Sequence, residues 1–392
     1  MSLYFQTWSA QENPNQLEIT GTSETDYILK DGSTVYDLSS CSYHLGFGLR
    51  NKNLETAIID QVTSLPVAGP KTVFPLKDQV TKRLLSKLGL EGKLFYTTSG
   101  AESVENALKI ARNYSGKTDI LARKVSYHGA TIGALSATGD WRSDGHLTLS
   151  QNTHYIPEPY EKDALERTEE IINAVGADNI SAFILETITG GNGVYIPTQE
   201  WWDGIQCLCK KYDILLILDE VVCGFSRTGK DFGFQNFKLS PDIICLAKAI
   251  SGGFFPFGAV YFNSEISKHY DKNVLSAGLT NYAHPIGLKL CDEVLNLIED
   301  QSFQDNLDQV EKLLSDFKEN VQSFPNIKEV RHIGALMAIE VIEQHFSWKV
   351  FKENGLYINV TGQNIIICPI MTTDLKKLED ALNKVKNLLN KA

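Results

Sequence analysis

The chain has 392 residues, 43% hydrophobic and 22% charged, an ordinary globular composition with length enough for one large core and a smaller second one. A formal net charge of -11 argues against nucleic acid or an anionic membrane as the main partner. Seven scattered cysteines with no CxxC pair, no apolar run of membrane-spanning length and no basic, apolar leader point to a cytoplasmic protein with free thiols.

The first 40 residues read as a small β-rich entry, with strands 27–29 and 35–38 flanking the Asp31-Gly32 turn. Helical spacing covers 54–65, ended by Pro66, and 79–88, ended by Gly89. A short strand at 93–96 leads into Ser99-Gly100-Ala101 and then a helix with Val104, Ala107, Leu108 and Ala111 on one face. Small residues at a strand-to-helix turn let the backbone approach an anion, and the first helical N–H groups point at it. Taken alone, the turn reads better as an ordinary capped helix. A strand at 120–122 precedes Tyr127-His128-Gly129. Tyr127 could stack on a flat ring, although a lone aromatic is more often core; His128 reads as packed or hydrogen-bonded rather than as a base.

Further on come a helix at 165–175, a strand at 182–185 ending at Glu186, a loop with Gly190, Gly191 and Gly193, and a helix at 199–212. Strands follow at 214–218 and 243–246. Alternation of strand and helix from 93 to 248 calls for a mostly parallel sheet, to which 260–262 adds a strand. Helices are expected at 286–298, 307–321 and 375–389, with strands around Gly334 and at 365–368.

The run 214–218 stops at Asp219 and Glu220, and 243–246 stops just before Lys248. Ligands of open α/β sheets bind at the carboxyl ends of the strands. A lysine and an acid presented together there fit pyridoxal phosphate: the amine can condense with the aldehyde, and the acid can keep the pyridine nitrogen protonated. Either residue alone would more often be a surface group at a strand end.

With SGAESVENALKIAR (99–112), YHG (127–129), LDEVVCGFSRTG (218–229), Ala247-Lys248 and GLTNYAHP (278–285) in this order, the chain resembles the class III pyridoxal-phosphate-dependent aminotransferases from about residue 29 onward. The resemblance implies the α/β fold type I of such transferases. A large domain at 43–291 would hold the mostly parallel sheet, and 1–42 and 292–392 would form a smaller α+β domain. It implies an amino transfer from an amine or amino acid to a keto acid or aldehyde by a ping-pong mechanism, and a homodimer with shared active sites. Lys248 would carry the cofactor as an imine and shuttle the proton, and Asp219 would hold the ring nitrogen. Val221 and Tyr127 would pack against the two ring faces, with Ser99, Gly100 and Ala101 on the phosphate. Glu186 would stand behind Asp219 or near the imine, and Thr280 would reach the phosphate of the neighbouring subunit. Trp8 and Tyr43 stand about where the family places pocket-wall aromatics.

The sequence also departs from the family. Asn359, in LYINVTGQNIIICPIM (356–371), stands where many members carry an arginine that grips a substrate carboxylate, and no arginine follows Arg331. Arg142 and Arg50 are the nearest replacements, and both read as surface or structural. Phe254, Phe255 and Phe257 make the stretch after Lys248 unusually aromatic, which with Trp8, Tyr43 and Asn359 implies a rather apolar amine site, with core packing the alternative for all five aromatics. Ala130 after YHG, where diaminopelargonate aminotransferases have an acid, counts against biotin synthesis. A same-fold epimerase, aminomutase or decarboxylase is the alternative, and a non-catalytic domain that kept the fold is a third reading.

Overall fold

Seven strands form the central sheet, in the order Gly92–Thr97, Gly258–Asn263, Ile243–Leu246, Leu215–Asp219, Ile180–Glu186, Asp119–Arg123 and Thr153–Ile156. The computed structural model describes residues 3–12, 14 and 16–391, so positions 1, 2, 13 and 15 of the expected amino-terminal segment and position 392 of the expected carboxyl-terminal one lie outside the described residues. Gly258–Asn263 runs antiparallel to both neighbours and the remaining pairs are parallel, so the expected strand at 260–262 joins in the minority direction. Parallel strands need both faces covered, and Ile180–Glu186 is buried at every position. Trimming one such residue, Ile217 to alanine, should cost about 2–5 kcal/mol, because its side chain is fully buried in the sheet core.

Register brings the acids together. Glu186 pairs with Asp219, and Asp219 pairs with Cys245, so three parallel strands end level at one edge. Helix Gly100–Ser115 packs on one face of the sheet, with buried Val104, Ala107, Leu108 and Ala111 on the expected stripe. Helix Pro75–Leu88 begins four residues before the expected start, since Pro75 occupies the first helical turn, where its missing N–H costs nothing. Gly89, at φ +68°, ends it.

Two smaller sheets flank this core. Ile19–Thr22, Asp26–Leu29 and Thr34–Asp37 form an antiparallel meander, and Leu356–Tyr357 adds to it in parallel beside Thr34–Asp37. Ile327–Ile333, Leu336–Val341, Asn364–Ile367 and Asn359–Thr361 form the other, antiparallel throughout. Residues from both ends of the chain thus meet, and the N–H of Asn359 donates to Ser39 Oγ at 2.8 Å. Among the described residues no helix is long and apolar enough to cross a membrane.

Candidate active site

At the level edge of the three strands opens a cavity of about 920 Å³, lined among others by Lys248, Asp219, Glu186, Tyr127, Arg142 and Tyr43. Asp219 is almost fully buried. Its Oδ2 lies 2.8 Å from Nδ1 of His128, and its Oδ1 accepts the Val221 N–H at 3.0 Å. The other ring nitrogen of His128 is buried without a partner among the described residues.

Glu186 accepts the Tyr127 N–H at 3.1 Å and the Gly190 N–H at 2.7 Å. Burial raises its carboxyl above the usual range and the nearby Asp219 adds to this, against the pull of His128 and Arg123. Burial likewise lowers the Lys248 ammonium, while Asp219 and Glu186 favour its charged form. Lys248 has φ +51°, left-handed backbone that costs about 1–2 kcal/mol for an L-residue. The buried strand before it and the turn Lys248–Ser251 after it hold it there.

Ser99 caps helix Gly100–Ser115, its hydroxyl accepting the Glu102 N–H at 3.2 Å. Among the described residues the N–H groups of Gly100 and Ala101 have no hydrogen-bond partner. A Cβ added to Gly100 would meet Val221 Cγ1 at 3.0 Å, so glycine keeps this corner open. Two unpaired N–H groups at a helix start, a buried acid and a lysine on one cavity are a donor set that fits a phosphorylated pyridine aldehyde.

Aromatic residues form another part of the wall. Trp8 meets Tyr127 edge-on at 6.2 Å and Trp141 at 5.8 Å. The Arg142 guanidinium lies 4.5 Å from the Tyr127 ring centre. Tyr43 ends a run of four left-handed non-glycine residues, Ser40–Tyr43, with φ from +45° to +72°. Asp37 holds that run: it accepts the Ser39 and Cys41 N–H groups at 2.8 and 2.7 Å and the Tyr27 hydroxyl at 3.1 Å. Burial pushes its carboxyl up to about 6. Asn359 and Tyr43, two of the expected pocket residues, line the same cavity.

Nearly all the residues singled out from sequence line this one cavity: Trp8, Tyr43, Ser99, Gly100, Ala101, Tyr127, Glu186, Asp219, Val221, Lys248 and Asn359. Thr280 is exposed and lies outside it. Phe254, Phe255 and Phe257 all line the cavity, and Phe257 is also buried, stacked on Tyr96 at 5.5 Å. Arg50 is exposed and paired with Glu55. Arg142, expected as a surface or structural residue, lines the cavity and pairs with Asp140. Sequence reading missed the buried pair Arg123–Glu158 at 3.2 Å, although Arg123 also bonds Thr189 and the Glu186 carbonyl. The missing signal was the edge strand Thr153–Ile156, which carries Glu158 in beside Arg123.

The sequence profile of the family described as aminotransferase class-III matches residues 8–389. Gamma aminobutyrate transaminase 2 of Solanum lycopersicum is 29% identical, over 74% of this chain and 72% of that protein. Putrescine–pyruvate aminotransferase of Pseudomonas aeruginosa is 26% identical, with 97% and 92% covered. Among solved structures, taurine:2-oxoglutarate aminotransferase from Bifidobacterium kashiwanohense, in complex with pyridoxal phosphate and glutamate, superposes with a TM-score of 0.90 at 29% identity, covering 98% of this chain and 94% of that one.

Proposed function

The chain belongs to the class III aminotransferases, and from that footing we propose how its residues divide the work of the reaction. The enzyme is a pyridoxal-phosphate-dependent aminotransferase, moving an amino group from an amine or amino acid to a keto acid or aldehyde. The relatives named above are all aminotransferases, which leaves the epimerase, aminomutase or decarboxylase alternative without support. When bound, the cofactor supplies an aldehyde that condenses with primary amines and a ring that draws electrons from the carbon bearing the amine.

Lys248 would hold the cofactor through Nζ, and the same amine, positioned beside the substrate carbon, would take and return its proton. Burial supports the role by favouring the neutral amine a base must be. Asp219 keeps the ring nitrogen protonated, oriented by His128 on Oδ2 and the Val221 N–H on Oδ1. The Gly100 and Ala101 N–H groups, with Ser99, take the phosphate. Tyr127 and Val221 flank the ring, while Glu186 fixes the Tyr127 backbone and the Gly190 turn behind it. Trp8, Tyr43 and Asn359 border the substrate.

One observation carries this assignment: Lys248, Asp219 and an unpaired helix start share a single cavity. Holoenzyme given an amine donor without acceptor should lose the yellow absorbance of its cofactor, then regain it on addition of a keto acid. Yellow that persists while donor is consumed would contradict amino transfer through this site.

Thr280 acts in a second copy, as a phosphate contact across a homodimer; its exposed position away from its own cavity supports this. A cytoplasmic setting is part of the same reading, supported by seven cysteines with no disulfide among the described residues. So is a chain division at 42/43 and 291/292, supported by the pairing of Leu356–Tyr357 with Thr34–Asp37.

A further inference from the structure

We propose that Arg142 is the anion receptor of the substrate pocket, so that the substrates of this enzyme are amines bearing an acid group, a carboxylate or sulfonate, rather than plain amines. The inference rests on the reading that Lys248 marks the reacting end of the cavity.

Arg142 lines the same cavity as Lys248 and Asp219. Its guanidinium carbon is 4.5 Å from the ring centre of Tyr127, 5.3 Å from that of Trp141 and 5.4 Å from that of Trp8. Rings around a planar cation fix where the fork sits and keep bulk water from part of it. The side chain is only 20% exposed. Among the described residues the guanidinium donates only through Nη1, to Asp140.

Asp140 is an anchor rather than a full complement. It also accepts the Arg142 N–H at 2.9 Å, as cap of the turn Trp141–Ser143, and the Asn192 amide at 3.0 Å. A guanidinium has five N–H donors in a fixed fork, so Nε and Nη2 remain to meet a further oxyanion. Carboxylates and sulfonates both present paired oxygens to such a fork.

The charge pattern of the cavity sets the direction. Asp219 and Glu186 stand by Lys248 and repel an acid there. Arg142 is the one arginine among the described lining residues. An amino acid is therefore turned with its acid at Arg142 and its amine toward Lys248. Asn359, in the place where the family pattern expects an arginine, can hydrogen-bond an acid but cannot neutralise it.

The test compares wild-type holoenzyme with Arg142→Gln, using 4-aminobutyrate and butylamine as donors and calorimetry with butyrate as an unreactive acid. Arg142→Gln should lower kcat/KM for 4-aminobutyrate and weaken butyrate binding about ten- to hundredfold, while butylamine changes by less than about threefold. Arg142→Lys should recover part of the loss and, because it keeps the charge, replaces the glutamine variant if that one fails to hold cofactor. An equal fall for both donors, or butyrate binding that is absent in wild type or indifferent to Arg142, would overturn the proposal. A wild type that binds butyrate through Arg142 but moves no amino group would instead sink the assignment of Lys248 and leave the receptor standing.

Discussion

His128 Nδ1 and Asp219 Oδ2 stand 2.8 Å apart at the end of a central strand, both side chains sealed from solvent. A hydrogen bond to a buried carboxylate is worth more than one at the surface, because water cannot replace it. The pair therefore fixes which way the acid points. Only Oδ1 is tied to the local backbone, through Val221, so the ring of His128 decides the rest.

Replacing His128 with phenylalanine removes that partner while keeping an aromatic volume. kcat should fall about tenfold or more, with the donor KM within about threefold, since the loss lies in the transition state and not in donor binding. His128→Asn should recover part of kcat. Steady-state kinetics on the three proteins checks this, and a change in KM alone would count against an orienting role.

Asp219→Asn keeps the shape and removes the charge. Turnover should drop about a hundred- to thousandfold or more, the size expected when a preorganised charge facing the reacting system is lost. Cofactor should still bind, because the helix start at Gly100 and Ala101 is untouched. Near-normal turnover in a single-turnover assay would mean that another group holds the ring nitrogen.

Gly100→Val should weaken cofactor binding at least about tenfold, read by titrating apoenzyme with pyridoxal phosphate. Even the first carbon of the new side chain meets Val221 at 3.0 Å, so the larger side chain must push that wall or fill the corner where the free N–H groups point. Unchanged affinity would place the phosphate elsewhere.

Asp37 has a stability signature. Its carboxyl is pushed up to about 6 in the folded protein, against about 3.9 unfolded. A raised pKa means that the folded state holds the proton more tightly. The resulting stability is fully present below the unfolded value and is lost as pH rises through about 6. Glu220, pushed up to about 7, acts with the same sign. The wild-type melting temperature should thus fall between about pH 4 and about pH 7, and Asp37→Asn should flatten the part of that fall below about pH 6 by removing its share. A variant curve parallel to wild type would contradict the assignment. The same group holds the left-handed run that carries Tyr43, so donor KM should rise in this variant.

What could be read from sequence followed local pattern strength. The strand Ile243–Leu246 and the helix Gln199–Tyr212 are found at their expected bounds, because an unbroken apolar run and a clear apolar stripe leave little choice. Thr153–Ile156 was invisible: only its two end residues are buried, so it shows neither a run nor an alternation. With it went the Arg123–Glu158 pair, which exists only because that strand lies beside Asp119–Arg123. Nothing in Ser40-Cys41-Ser42-Tyr43 announces left-handed backbone, since no glycine is present; the cause is Asp37, bonded across the turn. Arg142 faces inward because the loop around Trp141 folds over Tyr127, a packing choice that residue types alone do not fix.

Reduction of the holoenzyme with borohydride followed by peptide mass mapping asks most directly which amine holds the cofactor. The added mass should sit on the peptide containing Lys248, and Lys248→Ala should lose it together with turnover. Label on a different lysine, or a Lys248→Ala protein that still turns over at the wild-type rate, would contradict the assignment.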